Sequence, residues 1–158
     1  MTDDRLKRLE ERTRYVPGEV EQAIFDRWEG AGIFHPEPEG ESKDNYSIAV
    51  PPPNVTGALH MGHALNGSIQ DLLIRRQRMA GKHAKWIFGT DHAGIATQIQ
   101  VEKRLQSEGR SREEIGREEF IRRVWEWRAK YGSTIVEQFK RLGASADYRD
   151  ERFTMDAD

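Results

Sequence analysis

Two histidines with helical spacing follow a proline-rich segment, and their chemistry suits phosphate. Residues 51–63 read PPPNVTGALHMGH and contain His60 and His63 with Gly62 between them. Side chains three positions apart lie on one face of a helix. A helix N-terminus offers free N–H groups that attract anions, and imidazole N–H donors there add to them. The pattern predicts a helix that begins with phosphate donors, with Gly62 leaving room for a flat base against the backbone.

The same histidines have plainer interpretations. HxxH pairs are common by chance, and a zinc ion usually needs a third protein ligand. His83 and His92 are candidates for that ligand, yet no HExxH spacing accompanies them. We therefore predict no metal site.

A second polar stretch follows an apolar run further along the chain. Residues 89–94 read GTDHAG and carry Asp91 and His92. Aspartate is a favoured N-cap, so Asp91 suits the cap of a helix from Ala93, a role that is compatible with ligand contact. Both interpretations stay open at this point.

Both stretches follow predicted strands. Residues 45–50 and 84–91 are short, apolar runs typical of buried strands, and the order strand, helix, strand, helix, helix predicts an α/β fold with parallel strands and right-handed crossovers. Ligands of open α/β sheets bind outside the carboxyl ends of the strands. We therefore expect the two loops to meet at one crevice, which would be lined by Asn54, His60, His63, Asp91 and His92.

The remaining pattern is mainly helical. One helix opens at Pro17 and ends near Gly30 and Gly32, and a charged helix or frayed arm is predicted over residues 3–12. Two strands make a poor sheet, so either a third strand lies in the tail or the chain is part of something larger. Three further helices are predicted, over residues 60–81, residues 93–108 and a stretch from a capping box at Ser111 to about Leu142. Gly116 and Gly132 are expected to break or kink the last of these. The first has an apolar stripe formed by Met61, Leu65, Ile69, Leu72, Leu73 and Met79.

Composition limits the classes of protein. The 158 residues carry a net charge of -2 and no cysteine, which excludes disulfides and thiolate metal sites. No apolar run approaches the roughly 20 residues of a membrane helix, and the N-terminus has no apolar signal core. A cytoplasmic protein without membrane contact is the expectation. The RRQR run at 75–78 is interpreted as a solvated helix face, and the four tryptophans as core or interface aromatics.

Three long stretches together resemble one enzyme family. Residues 51–65 read PPPNVTGALHMGHAL, residues 89–98 read GTDHAGIATQ, and residues 141–156 read RLGASADYRDERFTMD. They closely resemble the valyl-tRNA synthetase family of class I aminoacyl-tRNA synthetases, and HMGH looks like the HIGH signature of that class. The resemblance runs from about Tyr15 to the end of the chain.

The resemblance implies a Rossmann-type catalytic fold that joins valine and ATP to valyl-adenylate and transfers the valine to tRNA(Val). It implies Mg²⁺ accompanying ATP, although no carboxylate is an evident dedicated ligand. The implied catalytic residues are His60 and His63; the implied ATP-binding residues are Gly57, His60, Gly62 and His63; and the implied amino-acid-binding residues are Pro51, Asn54 and Asp91, with Asp91 pairing with the substrate ammonium.

The chain also departs from the family pattern. The second signature, KMSKS, is absent, so residues 45–158 are expected to form the first half of the catalytic Rossmann domain, ending before the editing insertion, with residues 1–44 as an N-terminal helical extension. The missing C-terminal half of the enzyme is then an expected partner. Two alternatives remain: a truncated, non-catalytic ATP-binding homologue, and an HxGH nucleotidylyltransferase, which would lack the proline-rich approach and the TDHAGIATQ loop.

Overall fold

The structure is a computed structural model that describes residues 14–156, so the helix expected over residues 3–12 lies outside the described residues. From β1 onward, helices and strands follow each other in the predicted order, with one further strand after the last helix. The elements are α1 (Pro17–Gly30), a 3₁₀ turn (Ser42–Asp44), β1 (Asn45–Ala49), α2 (Met61–Met79), β2 (His83–Thr90), α3 (Ile95–Ser107), α4 (Arg112–Arg141) and β3 (Asp147–Phe153).

The three strands form one parallel sheet in the order β1-β2-β3. Asn45 pairs with His83 at one end of β1 and β2, and Ala49 pairs with Ile87 at the other. The pairing of β2 with β3 has an irregularity between Ile87 and Gly89. The predicted α/β class with parallel strands is confirmed, and the third strand lies in the tail.

The core lies between the sheet and two helices. Trp86 and Phe88 of β2 point to the side where Ile74 of α2 and Phe139 of α4 pack in the same cluster. Both crossovers advance in one direction along the sheet, and right-handed connections then place α2 and α4 on the same face. Gly67 permits the close approach of these helices, since a Cβ there would lie 2.8 Å from Phe139 Cε1.

Two predicted helix boundaries are corrected. Gly116 has a φ of 75° and interrupts α4, as expected, but Gly132 is buried inside continuous helix and breaks nothing. Helix α3 begins at Ile95 rather than Ala93, because Ala93 and Gly94 have φ values of 56° and 42° that a right-handed helix does not allow.

The apolar stripe of α2 faces solvent rather than the sheet. Met61, Leu65, Ile69 and Leu72 are 82%, 64%, 54% and 66% exposed. The helix is present as predicted, but its sheet-facing side is formed by Gly67 and Ile74, on the opposite side of the helix from the stripe. A helix that is apolar on both sides is typical of a buried helix.

The RRQR run is not a uniformly solvated face. Arg78 donates to the carbonyl oxygen of Ala84 and to Ser145 Oγ, at 3.1 and 2.6 Å, and burial lowers its pKa. Arg75 donates to Asp71 Oδ2 and to the carbonyl oxygen of Gly143. These arginines tie α2 to β2 and to the turn before β3, so the solvated interpretation is wrong for both.

A charged cluster joins β2 to β3 and to the segment after α1. Lys85 Nζ lies 3.0 Å from Asp147 Oδ2 and 2.6 Å from Asp150 Oδ2, and His35 Nδ1 lies 2.7 Å from Asp147 Oδ2. The hydrogen bond from Lys85 lowers the pKa of Asp150. His35, Asp147 and Asp150 have the spacing of a cation site within residues 14–156, but the Lys85 ammonium already lies among their oxygens.

None of the described helices is long and apolar enough to cross a membrane.

Candidate active site

The two predicted loops meet at the carboxyl end of the sheet. Asn54 and Asp91 form a parallel β-bridge just beyond β1 and β2. The Val55 N–H donates to the Asp91 carbonyl oxygen at 3.0 Å, and the Asp91 N–H donates to the Pro53 carbonyl oxygen at 2.9 Å. Prolines 51–53 end the strand, yet the chain pairs again at Asn54, opposite Asp91. Backbone hydrogen bonds therefore fix the two loops to each other.

Helix α4 holds the first loop from the core side. Trp127 Nε1 donates to the Val55 carbonyl oxygen at 2.8 Å, and Gln138 Oε1 accepts the Leu59 N–H at 2.8 Å. The Val55 side chain is fully buried. The sequence indicated Trp127 as a core or interface aromatic but offered no signal for these two hydrogen bonds, because they join positions more than seventy residues apart.

The two imidazoles cap the first turn of α2. His60 is the N-cap, and its Nδ1 accepts the Gly62 N–H at 3.1 Å. His63 Nδ1 accepts the His60 N–H at 3.2 Å, which completes a capping box in which imidazoles replace the usual hydroxyl and carboxylate. The ring centroids lie 3.9 Å apart. The spacing of the two histidines is therefore used first to start the helix.

This arrangement defines what the histidines offer to a ligand. An Nδ1 that accepts a hydrogen bond carries no proton, so each ring is neutral with its proton on Nε2. Burial, and then the neighbouring His60, lower the pKa of His63, which favours the neutral form. The site thus supplies Nε2–H donors rather than two positive charges, and neutral donors still suit phosphate oxygens.

The glycines of the first loop differ in their surroundings. A Cβ on Gly62 would lie 2.9 Å from His60 Cε1, so the His60 cap itself requires a glycine at this position. A Cβ on Gly57 would meet no protein atom within 4 Å. Gly57 therefore borders open space, which is compatible with the close approach of a ligand.

Asp91 is bound by the end of β3 and does not cap a helix. Asp91 Oδ1 accepts the Thr154 hydroxyl at 2.8 Å. The N-cap of α3 is Gly94, which has no side chain, so the interpretation of Asp91 as the N-cap is wrong. The alternative that stays open is contact with a ligand. The sequence did not indicate Thr154, because no local pattern links it to Asp91.

Four other candidate residues lie in three different places. Pro51 and Asn54 are exposed on the first loop. His92 turns toward its own loop, where Nδ1 accepts the Gly94 N–H at 3.0 Å. His83 begins β2, at the opposite end of the strand from Asp91. Within residues 14–156 no group of three metal-ligating side chains includes His60 and His63.

The site fits Mg²⁺ only as a companion of phosphate. Mg²⁺ is usually held by one or two carboxylates together with substrate phosphates and waters. In the two loops that meet here, residues 51–63 and 89–94, Asp91 is the one carboxylate, and it accepts the Thr154 hydroxyl. The residues present therefore provide no dedicated cage for the ion.

Comparison with known proteins supplies the family. The model of tRNA synthetases class I (I, L, M and V) matches residues 23–158. The chain is 57% identical over 142 residues to valine–tRNA ligase of Geobacter sulfurreducens, and 55% identical over 144 residues to valine–tRNA ligase of Gluconobacter oxydans. Each match covers 90% of this chain but only 16% of the relative, so the chain spans about a sixth of the length of these proteins.

A solved structure agrees on the fold. LeuRS of Agrobacterium radiobacter, in a ternary complex with tRNA and LeuAMS, matches with a TM-score of 0.71 at 20% identity, over 90% of this chain and 16% of that chain. The identity supports the fold alone, and that fold is the one the parallel sheet and its flanking helices form here. Because the family model matches from residue 23 to the end, the chain belongs to the class I tRNA synthetases of the I, L, M and V group.

Proposed function

We propose that the chain forms the part of a valine–tRNA ligase that binds valine and ATP for the synthesis of valyl-adenylate. The observation that carries this proposal is the backbone pairing of Asn54 with Asp91, which joins the two loops at the carboxyl ends of the strands. The identity of 57% to a valine–tRNA ligase supports valine as the amino acid. On this proposal residues 45–158 are the first half of the catalytic domain, and residues 1–44 are an extension.

The proposed chemistry needs position and hydrogen bonding more than proton transfer. A carboxylate oxygen of valine attacks the α-phosphorus of ATP, and the bond to pyrophosphate breaks. Valine is already a carboxylate at neutral pH, so no general base is required, and orientation and electrostatics remain for the protein to supply. The Asp91 carboxylate accepts charge-assisted hydrogen bonds from the valine ammonium, beside Pro51 and Asn54.

The phosphates lie at the start of α2 on this proposal. The Nε2–H groups of His60 and His63 donate to phosphate oxygens, and the positive end of the helix dipole adds to their effect. Gly57 and Gly62 leave space for the nucleotide. An Mg²⁺ ion that accompanies ATP would supply charge neutralisation at the phosphates.

Further partners follow from the relatives. We propose tRNA(Val) as the acceptor of the valyl group and the cytoplasm as the place of the reaction, since the matching relatives are named valine–tRNA ligase. We also propose that the remaining polypeptide of such a ligase covers the exposed stripe of α2, formed by Met61, Leu65, Ile69 and Leu72. Burial of this stripe would make α2 an internal helix of the whole enzyme.

Binding measurements on the chain test the proposal. We expect calorimetry to show saturable binding of valine and of ATP, with valine preferred over leucine. Asp91→Asn should weaken valine at least about ten-fold and leave ATP unchanged, because only the ammonium partner is lost. His60→Asn and His63→Asn should weaken ATP alone, since asparagine keeps an acceptor near the Nδ1 position but removes the Nε2–H donor.

Exchange of pyrophosphate into ATP distinguishes the alternatives. The chain should be assayed alone and in a chimera with the rest of the Geobacter sulfurreducens relative. Valine-dependent exchange by the chimera supports the proposal. ATP binding without exchange in either form favours a non-catalytic homologue, and exchange that depends on an acceptor other than an amino acid favours a nucleotidylyltransferase.

A further inference from the structure

Thr154 connects the ends of β2 and β3 through a single hydroxyl group. Its Oγ1 donates to Asp91 Oδ1 at 2.8 Å and accepts the His92 N–H at 2.9 Å. Its own backbone N–H donates to the Thr90 carbonyl oxygen at 3.3 Å. Three hydrogen bonds therefore hold Thr154 against the loop of residues 90–92.

The direction of these bonds determines the orientation of the Asp91 carboxylate. The hydroxyl proton goes to Asp91 because a carboxylate oxygen accepts hydrogen bonds, while a lone pair of Oγ1 accepts the His92 N–H. One carboxylate oxygen is thereby fixed, and the carboxylate cannot turn freely about its side-chain bonds. Oδ2 is not engaged by this hydroxyl, so it remains the oxygen that can accept from an ammonium group.

The position of Thr154 is itself well supported. Phe153, the last residue of β3, is buried, pairs with Thr90 and lies beneath the Arg128 guanidinium, whose Cζ is 4.4 Å from the ring centroid. The Phe153 N–H donates to Asp156 Oδ2 at 2.8 Å, which closes the turn after the strand. The buried end of β3 and the hydrogen-bonded turn after it therefore place the hydroxyl, as accurate orientation of a carboxylate requires.

We propose that Thr154 is a positioning residue that orients the Asp91 carboxylate toward the ammonium group of the amino-acid substrate. The assignment rests on the proposed function, in which Asp91 binds that ammonium. It adds a third strand end to the site: Asn54 lies beyond the end of β1, Asp91 follows β2, and the residue that orients Asp91 follows β3.

Removal of the hydroxyl at constant shape tests the proposal. Thr154→Val keeps the volume and the β-branch but cannot donate, whereas Thr154→Ser keeps the hydroxyl. In calorimetry on the 158-residue chain, Thr154→Val should weaken valine about ten-fold and leave the dissociation constant of ATP unchanged. Thr154→Ser should bind valine within about two-fold of the parent. Thr134→Val, a matched substitution in α4, should change neither ligand.

Hydrogen exchange gives a readout that needs no ligand. The His92 amide should exchange faster in Thr154→Val, because it loses its acceptor, and at the parental rate in Thr154→Ser. Equal valine affinity in the parent and Thr154→Val would overturn the proposal while leaving the proposed function intact. An equal loss of affinity for valine and for ATP in Thr154→Val would overturn the proposal, because it would indicate a general disruption of the site. Absence of valine binding by the parent chain would contradict the proposed function and, with it, the substrate assigned here.

Discussion

His60 and His63 each use one ring nitrogen, Nδ1, to accept a backbone N–H. On the proposed function, the capping of α2 and the binding of phosphate therefore depend on the same neutral tautomer. The HxxH spacing alone predicted the shared face. It did not predict the capping box, which arises because His60 has extended backbone angles and so precedes the helix.

Gly62→Ala tests whether the His60 cap needs the glycine. The new Cβ would lie 2.9 Å from His60 Cε1, so the exposed imidazole must turn away and release the Gly62 N–H. We expect a loss of about 1 kcal/mol in the free energy of unfolding, the usual effect of a lost N-cap, together with weaker ATP binding. Urea denaturation measures the first effect and calorimetry the second. Gly57→Ala serves as the control for stability, because a Cβ there would meet no protein atom. Equal stability of the parent, Gly62→Ala and Gly57→Ala would contradict the steric account.

Acid should destabilise the protein through His63. Burial lowers its pKa below the ordinary value of 6.5, so the unfolded chain takes up this proton at a higher pH than the folded chain does. The free energy of unfolding should therefore fall as the pH drops below about 6.5, until the folded pKa is passed. The difference between the parent and His63→Asn isolates this residue from His60 and the other titrating groups. Identical pH profiles of the two proteins would contradict the expectation.

Among the elements, α4 does most to shape the loop that carries the site. It places Phe139 in the core, and its Trp127 and Gln138 hold the two parts of the proline-rich loop. Strands β1 and β2 and the loops that follow them were predictable, because prolines and glycines mark where these two strands end. The contacts from α4 were not, since a polar residue in a helix has many possible partners.

Gln138→Leu should loosen the loop that ends in His60. The Leu59 N–H is half-buried and would lose its acceptor, which costs about 1–3 kcal/mol. We expect a lower midpoint of urea denaturation and faster hydrogen exchange at Leu59. Gln106→Leu, at an exposed position of α3, is the matched control and should change stability by less than about 0.5 kcal/mol. An unchanged exchange rate at Leu59 would show that the hydrogen bond does not hold the loop.

Strand β3 shows why part of the sheet was not evident from the sequence. Residues 147–153 read DYRDERF, and only the terminal Asp147 and Phe153 are buried. Strong alternation of apolar and polar residues is absent, because charged side chains such as Lys85 and Asp150 pair across this part of the sheet. A third strand in the tail was therefore only one of two explanations for a sheet with two evident strands. Thr154, which follows β3, carried no local signal.

For the whole molecule, the apolar stripe of α2 is the feature that the chain itself does not explain. Six apolar positions predicted the helix correctly, but they do not form its buried face, since the periodicity of a helix does not say which of two apolar sides meets the sheet. Ile74 and Gly67 are buried, whereas Leu65 and Leu72 are exposed. On the proposed function, the remaining polypeptide of the ligase covers this stripe, since the chain spans 16% of the length of its relatives.

Charges placed on the stripe should separate folding from assembly. Leu65→Lys combined with Leu72→Lys should change the free energy of unfolding of the chain by less than about 1 kcal/mol, because both side chains are already exposed. The same pair should abolish exchange activity in the chimera with a relative, where the stripe would be covered. Ile74→Lys, on the buried side of the same helix, should unfold the chain. Full activity of the doubly charged chimera would contradict the assignment of this surface.

The most direct measurement of the central claim is the binding of a non-hydrolysable valyl-adenylate analogue to the isotopically labelled chain, followed by NMR. One molecule carries both the ammonium and the adenylate phosphate. We predict saturation at one analogue per chain, with simultaneous changes at Asp91 and at His60 and His63, and intermolecular contacts from the valine side chain near Asn54. Changes confined to one loop, or separate binding of the amino-acid and nucleotide parts at distant places, would contradict a shared site at the carboxyl ends of the strands.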